Sequence, residues 1–223
     1  MSSREAILGR IRAAISREEA ATEATEAAEA CSGAGEHSSL GERSYLAAEV
    51  LPHERHDRLV EMLRDCRAQV GRVSESGLAA AVHRACQARG IERVLLPPGF
   101  PENWLPTGLS LVIDDGSTAS LTPADGVIST CSLAIAQTGT IVLDGGIGQG
   151  RRALTLIPDY HLCIVEAARV VNSVPDAIEK LESAVAAGSP LTFISGPSAT
   201  SDIELVRVEG VHGPRHLEVL IVE

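Results

Sequence analysis

In the first sixteen residues the apolar positions Ile7, Leu8, Ile11 and Ile15 fall on one helical face. Ser2 and Glu5 ahead of them have capping-box spacing, so the pattern predicts an amphipathic helix over residues 3–16. Its apolar stripe needs a surface to cover it. The periodicity then stops, and residues 17–49 are Ala/Glu/Thr low complexity followed by a Ser/Gly-rich stretch, which predicts a solvated tether. The expected division is a helical arm and acidic linker over 1–49 and an α/β domain over 50–223. From Pro52 the pattern alternates. Leu59, Val60, Leu63 and Cys66 mark a helix, 70–73 a short strand, and 78–89 a second helix closed by Gly90. The apolar runs 94–96 and 109–113 end at Pro97 and at Asp114, as buried strands ending in loops do. Residues 126–136 and 140–143 read as two strand runs joined by Gln137, Thr138 and Gly139, a short link that favours an antiparallel hairpin. The remainder predicts a strand over 161–165, a helix from Pro175 to about Ala187 capped by Ser173, strands at 191–194 and 217–222, and a strand or turn at 203–208. The expected fold is therefore α/β, with helices covering a mixed sheet.

Charge and composition narrow the function. Nineteen Lys and Arg face thirty Asp and Glu, a net charge of −11, which argues against a broad hold on nucleic acid or an anionic membrane surface. More than half of that charge sits in residues 17–49, with eight Glu against two Arg. Phe100, Phe193, Trp104, Tyr45 and Tyr160 are the only aromatic residues, too few for base-stacking platforms. No segment has the roughly 20 apolar residues of a membrane span, and no signal-peptide core opens the chain. The five cysteines are odd in number and at least 20 residues apart, which predicts reduced thiols in a cytoplasmic protein with no zinc or iron–sulfur motif of its own. The expected cofactor content is none.

The richest candidate chemistry lies between Asp144 and Arg152. Gly145, Gly146, Gly148 and Gly150 let backbone N–H groups converge on an anion, and Arg151 with Arg152 supplies forked donors to a carboxylate or phosphate. The spacing fits neither a dinucleotide fingerprint nor a Walker loop. A plain Gly-rich strand-end loop reads the same way, so both remain open. Thr138, Gly139 and Thr140 add hydroxyls and a flexible turn just upstream. Gly196, Ser198, Thr200 and Asp202 lie in a loop after an apolar strand, where open α/β sheets usually bind ligands, although capping roles would use the same residues. His212 and Arg215 flank a Gly-Pro turn and could bind a carboxylate and move a proton. Asp202, His212 and Arg215 are the catalytic candidates. His161, at a strand start, reads as a structural histidine. No metal-ligand spacing and no G-x-S-x-G elbow is present.

Taken together, Ser2–Ile11, Ala134–Leu143, Arg151–His161, Gly196–Glu204 and Gly210–Pro214 resemble the lactate-utilisation (LUD) domain family, in particular its protein C group. The resemblance implies a three-layer α/β/α fold like that of ribose-phosphate isomerases and CoA-transferases. It also implies a part in oxidising L-lactate to pyruvate beside iron–sulfur partner proteins, which would carry the redox chemistry. A small carboxylate or phosphate ligand, and possible self-association, complete the expectation. Two other classes stay open: a stand-alone enzyme on a small phosphorylated or CoA-linked substrate, and a scaffold that recruits partners through its arm.

Overall fold

The computed structural model describes residues 54–121, 124–200, 208–210 and 213–223, with backbone alone at 199–200 and 208–209. They lie in one compact unit spanning 45–223. The expected arm helix and linker fall outside the described residues. In chain order the elements are α1 (Arg55–Asp65), β1 (Gln69–Val73), α2 (Leu78–Ala88), β2 (Arg93–Leu96), β3 (Ser110–Ile113) and β4 (Gly126–Thr130). Next come β5 (Leu133–Ile135), β6 (Thr140–Leu143), β7 (Tyr160–Glu166), β8 (Val170–Val171), α3 (Val174–Ala186) and β9 (Thr192–Ile194). The short strands β10 (Ala199–Thr200) and β11 (Val208–Glu209) pair antiparallel, and β12 (His216–Val222) closes the chain.

Two sheets result. The larger has six strands in the order β1-β12-β7-β4-β2-β3, every neighbouring pair parallel. Its central strands are apolar on both faces, as strands covered on both sides must be. Leu162, Ile164, Leu220 and Val222 pack with Leu78, Val82 and Cys86 of α2. The alternate positions Cys163, Val165, Val219 and Ile221 pack with Leu59 and Leu63 of α1 and with Ala134 and Ile141 of the second sheet. That second sheet has the order β8-β5-β6-β9, and Leu133, Ile135 and Val142 on its other face pack with Ala177 and Leu181 of α3.

The α/β class is as the pattern predicts, with the layers running helix, sheet, sheet, helix. The antiparallel pairing expected around Gln137–Gly139 is present, β5 with β6, but in the second sheet rather than the first. The run 126–136 accordingly divides. Up to Thr130 it pairs with β2 and β7. Thr130 N then donates to Gly148 O at 2.8 Å, Ser132 N donates to Val142 O at 2.9 Å, and the chain has changed sheets. Ser173 caps α3 with a full capping box to Asp176, as its position suggested. Gly90 closes α2 at φ +66°. Cys66, Cys86, Cys131 and Cys163 are free thiols.

Candidate functional site

A pocket of about 310 Å³ opens at the amino ends of β7 and β12, where the second sheet meets the first. His161 and Leu217, register partners on those two strands, contribute to its lining. Arg152, the first residue of the 3₁₀ turn Arg152–Thr155, comes from one side, and its Nη1 donates to Thr192 Oγ1 of β9 at 3.2 Å. Among the described residues no carboxylate pairs with Arg152. Ser195, Gly196 and Ser198 come from the segment after β9, and Gly213 with Pro214 from the chain entering β12. Ser198 N donates to Pro214 O at 2.8 Å and Gly210 N to Ser198 O at 3.1 Å, which ties these two segments together.

Two glycines set the position of this wall. Gly139, at φ +61°, turns against α1 so closely that a Cβ would lie 2.7 Å from the Met62 carbonyl carbon. Gly196, at φ +92°, presses equally on the Cys66 carbonyl. Between them a hydroxyl chain runs from Thr138 Oγ1 to Thr140 Oγ1 and on to Ser195 Oγ, each step 2.7 Å, so it ends at the pocket. The Gly196–Ser198 segment was expected beyond the carboxyl ends of the main strands. It follows a strand of the second sheet instead, which delivers it to the amino ends of β7 and β12.

His161, read from sequence as structural, is only 1 % exposed, and its Nε2 lies 2.8 Å from the buried Ser129 Oγ of β4. Burial pushes its pKa down to about 4, so the ring is neutral near pH 7. It is satisfied on one nitrogen and at the same time part of the pocket. Ser129, Thr192 and Ser195 were not singled out in the sequence. The available signal was a polar residue inside an apolar central strand, at Ser129 and again at His161.

The glycine loop lies elsewhere. Gly145, Gly146, Gly150 and Arg151 line a wider hollow of about 760 Å³ together with Asp114, Asp115 and Asp144. Arg151 grips Asp114 with two bonds of 2.9 Å and donates to Ser117 O at 2.6 Å, and Ser120 Oγ also donates to Asp114. The Arg151 hydrogen bonds hold the Asp114 carboxyl below its usual range against the opposing effect of burial. Four of the loop's N–H groups are occupied: Gly146 N donates to Asp144 Oδ1, Gly148 N to Pro98 O, and Gln149 N and Gly150 N to Gly146 O. With Asp144 turned inward and three carboxylates around it, the loop is a self-bonded cover over β2 and β4. The adjacent guanidiniums of Arg151 and Arg152, read as one clamp, thus serve two different places.

Arg215 is paired with Asp159 through Nε at 2.8 and 3.0 Å and Nη2 at 2.6 Å, holding the Asp159 carboxyl low and bracing the turn into β12. His212 and Asp202 fall outside the described residues, and Thr200 is placed only as backbone in β10. Among the described residues no three His, Cys, Asp or Glu side chains gather as a metal-ligand set, and no helix is long and apolar enough to cross a membrane.

A parallel six-stranded sheet, a second sheet laid on one of its faces and a small pocket edged by one arginine define a particular class of α/β protein. The chain belongs to the LUD domain family, whose sequence profile matches residues 16–222. It is 46% identical over 177 residues to a lactate utilization protein C of Deinococcus radiodurans, spanning 78% of this chain and 80% of that one. A protein of the same name from Halalkalibacterium halodurans is 36% identical over 104 residues, 45% of each chain. The crystal structure of a DUF162 family protein from Deinococcus radiodurans matches the fold with a TM-score of 0.68 at 37% identity, covering 78% of this chain and 99% of that one.

Proposed function

We propose that this chain acts in the cytoplasm as a component of an L-lactate utilisation system. It takes part in oxidising L-lactate to pyruvate beside iron–sulfur proteins and holds a small carboxylate at Arg152. The observation that carries this is the guanidinium of Arg152: it edges a cavity of about 310 Å³ and, among the described residues, meets no carboxylate of the protein. A fork of N–H donors in a small concave site selects a planar anion. The names of the relatives at 46% and 36% identity supply the choice of acid. Converting lactate to pyruvate removes two electrons and two protons, and the electrons pass to the partner proteins. The residues of this chain bind and orient the acid, with the hydroxyls of Thr192 and Ser195 beside the arginine.

Complementation is the test. A strain deleted for this gene and supplied with the wild-type chain grows on L-lactate and yields a complex containing iron–sulfur proteins on purification. The Arg152→Ala chain keeps the complex and loses the growth. Growth at the wild-type rate with Arg152→Ala, or a wild-type chain that purifies without iron–sulfur partners, contradicts the proposal.

A further inference from the structure

The pocket has a second polar element besides its cation. His161 contributes to the lining while Nε2 is taken up by Ser129 Oγ at 2.8 Å, and Ser129 is fully buried. Among the described residues neither the Ser129 hydroxyl nor His161 Nδ1 has another partner. A hydroxyl carries one hydrogen and two lone pairs, and a sealed hydrogen without an acceptor costs more than an unused lone pair. Ser129 therefore donates to Nε2. A neutral imidazole has a single proton, and with Nε2 accepting, that proton sits on Nδ1. The sealed side-chain atoms without a partner among the described residues are Arg55 Nε and Asn172 Oδ1, so this N–H is not sealed, and the pocket that His161 lines is where it can find an acceptor.

Building on the carboxylate reading above, we propose that His161 is a specificity-determining residue of this pocket, the donor that tells an acid with an oxygen on the carbon next to its carboxylate from one without. The carboxylate lies at Arg152, and the 2-oxo or 2-hydroxy oxygen accepts a hydrogen bond from His161 Nδ1. Ser129 is a positioning residue that fixes the tautomer. In that tautomer His161 is a donor to the ligand and not the base that takes a hydroxyl proton.

The test uses the full chain and three acids of matched size: propionate, L-lactate and pyruvate. By calorimetry the wild type binds lactate and pyruvate about tenfold tighter than propionate, the scale of one well-placed hydrogen bond. His161→Leu binds all three with the wild-type affinity for propionate. His161→Asn, whose amide can place an N–H where Nδ1 was, keeps part of the difference and serves if the Leu variant does not fold. Nitrogen-15 spectra of the imidazole show the proton on Nδ1 in the wild type and a mixed tautomer population in Ser129→Ala. Three acids bound equally by the wild type overturn the role of His161 and leave the carboxylate reading standing. So does a preference that survives in His161→Leu, or a wild-type proton found on Nε2. Failure of the wild type to bind any of the three overturns both.

Discussion

Arg151 and Arg152 are neighbours with the same side chain and different roles, which no spacing rule separates. The difference comes from Asp114, 37 residues earlier, whose side chain is 4 % exposed and takes the Arg151 fork. Arg151→Ala leaves that carboxylate without its cation, and the expected outcome is a lower urea midpoint. Asp114 is held low in the folded state, so its contribution is complete above the ordinary carboxylate pKa and lost as pH falls through the folded value. The gap between wild type and variant is therefore constant from pH 7 to 5 and closes in stronger acid. His161 gives another window. Its folded pKa near 4 lies below the usual 6.5, so as pH falls from 6.5 to 4 the unfolded chain takes up the proton first and the native state loses about 3 kcal/mol. Denaturation midpoints across that range should slope less in His161→Asn, and an identical slope contradicts the buried neutral ring. Sequence showed each of these side chains but not their partners. Ser129 and His161 meet only because β4 and β7 are neighbours in the sheet.

Hydrophobic alternation marked the buried face of α1 and located α2, α3 and most of the main strands to within a residue or two, because each buries a face that period alone reveals. Sheet membership was not readable in the same way. Residues 126–136 read as one strand run, and its polar positions Ser129, Thr130 and Ser132 do not by themselves mark the change of sheet at Cys131 and Ser132. That change depends on backbone bonds to Gly148 and Val142. The hairpin turn was visible, but its closeness to α1 was not. Gly139 combines φ +61° with a Cβ position under 3 Å from the backbone of Met62 and Leu63. Gly139→Ala should therefore cost about 3 kcal/mol, by strain and by displacing α1. Calorimetric melting measures the loss, and an unchanged melting temperature contradicts the packing of this turn. The four-glycine segment leaves two readings open in sequence. Its glycines are needed because Gly148 and Gly150 have positive φ and pack against Thr130, Pro97 and Leu154, a requirement that looks like an anion cradle in sequence.

Across the molecule the linker 17–49 is strongly acidic, with eight Glu against two Arg, and the proposed ligand cation belongs to the α/β domain. We expect these parts to have separate duties. Removing residues 1–49 should leave propionate affinity unchanged while weakening association with iron–sulfur proteins or with a second copy; undiminished co-purification would take the arm out of the mechanism. For a stand-alone enzyme on phosphorylated or CoA-linked substrates the glycine loop is a poor phosphate cradle, because the N–H groups of Gly146, Gly148 and Gly150 are already bonded within the protein. A decisive assay is lactate-dependent reduction of an artificial electron acceptor by the purified iron–sulfur partners, with this chain omitted, supplied as wild type, or supplied as Arg152→Ala. Turnover should appear with the wild-type chain and be almost absent in the other two, with Arg152→Ala still bound in the complex. Equal turnover with wild type and Arg152→Ala, or full turnover with the chain omitted, contradicts a carboxylate-binding role for this protein in lactate oxidation.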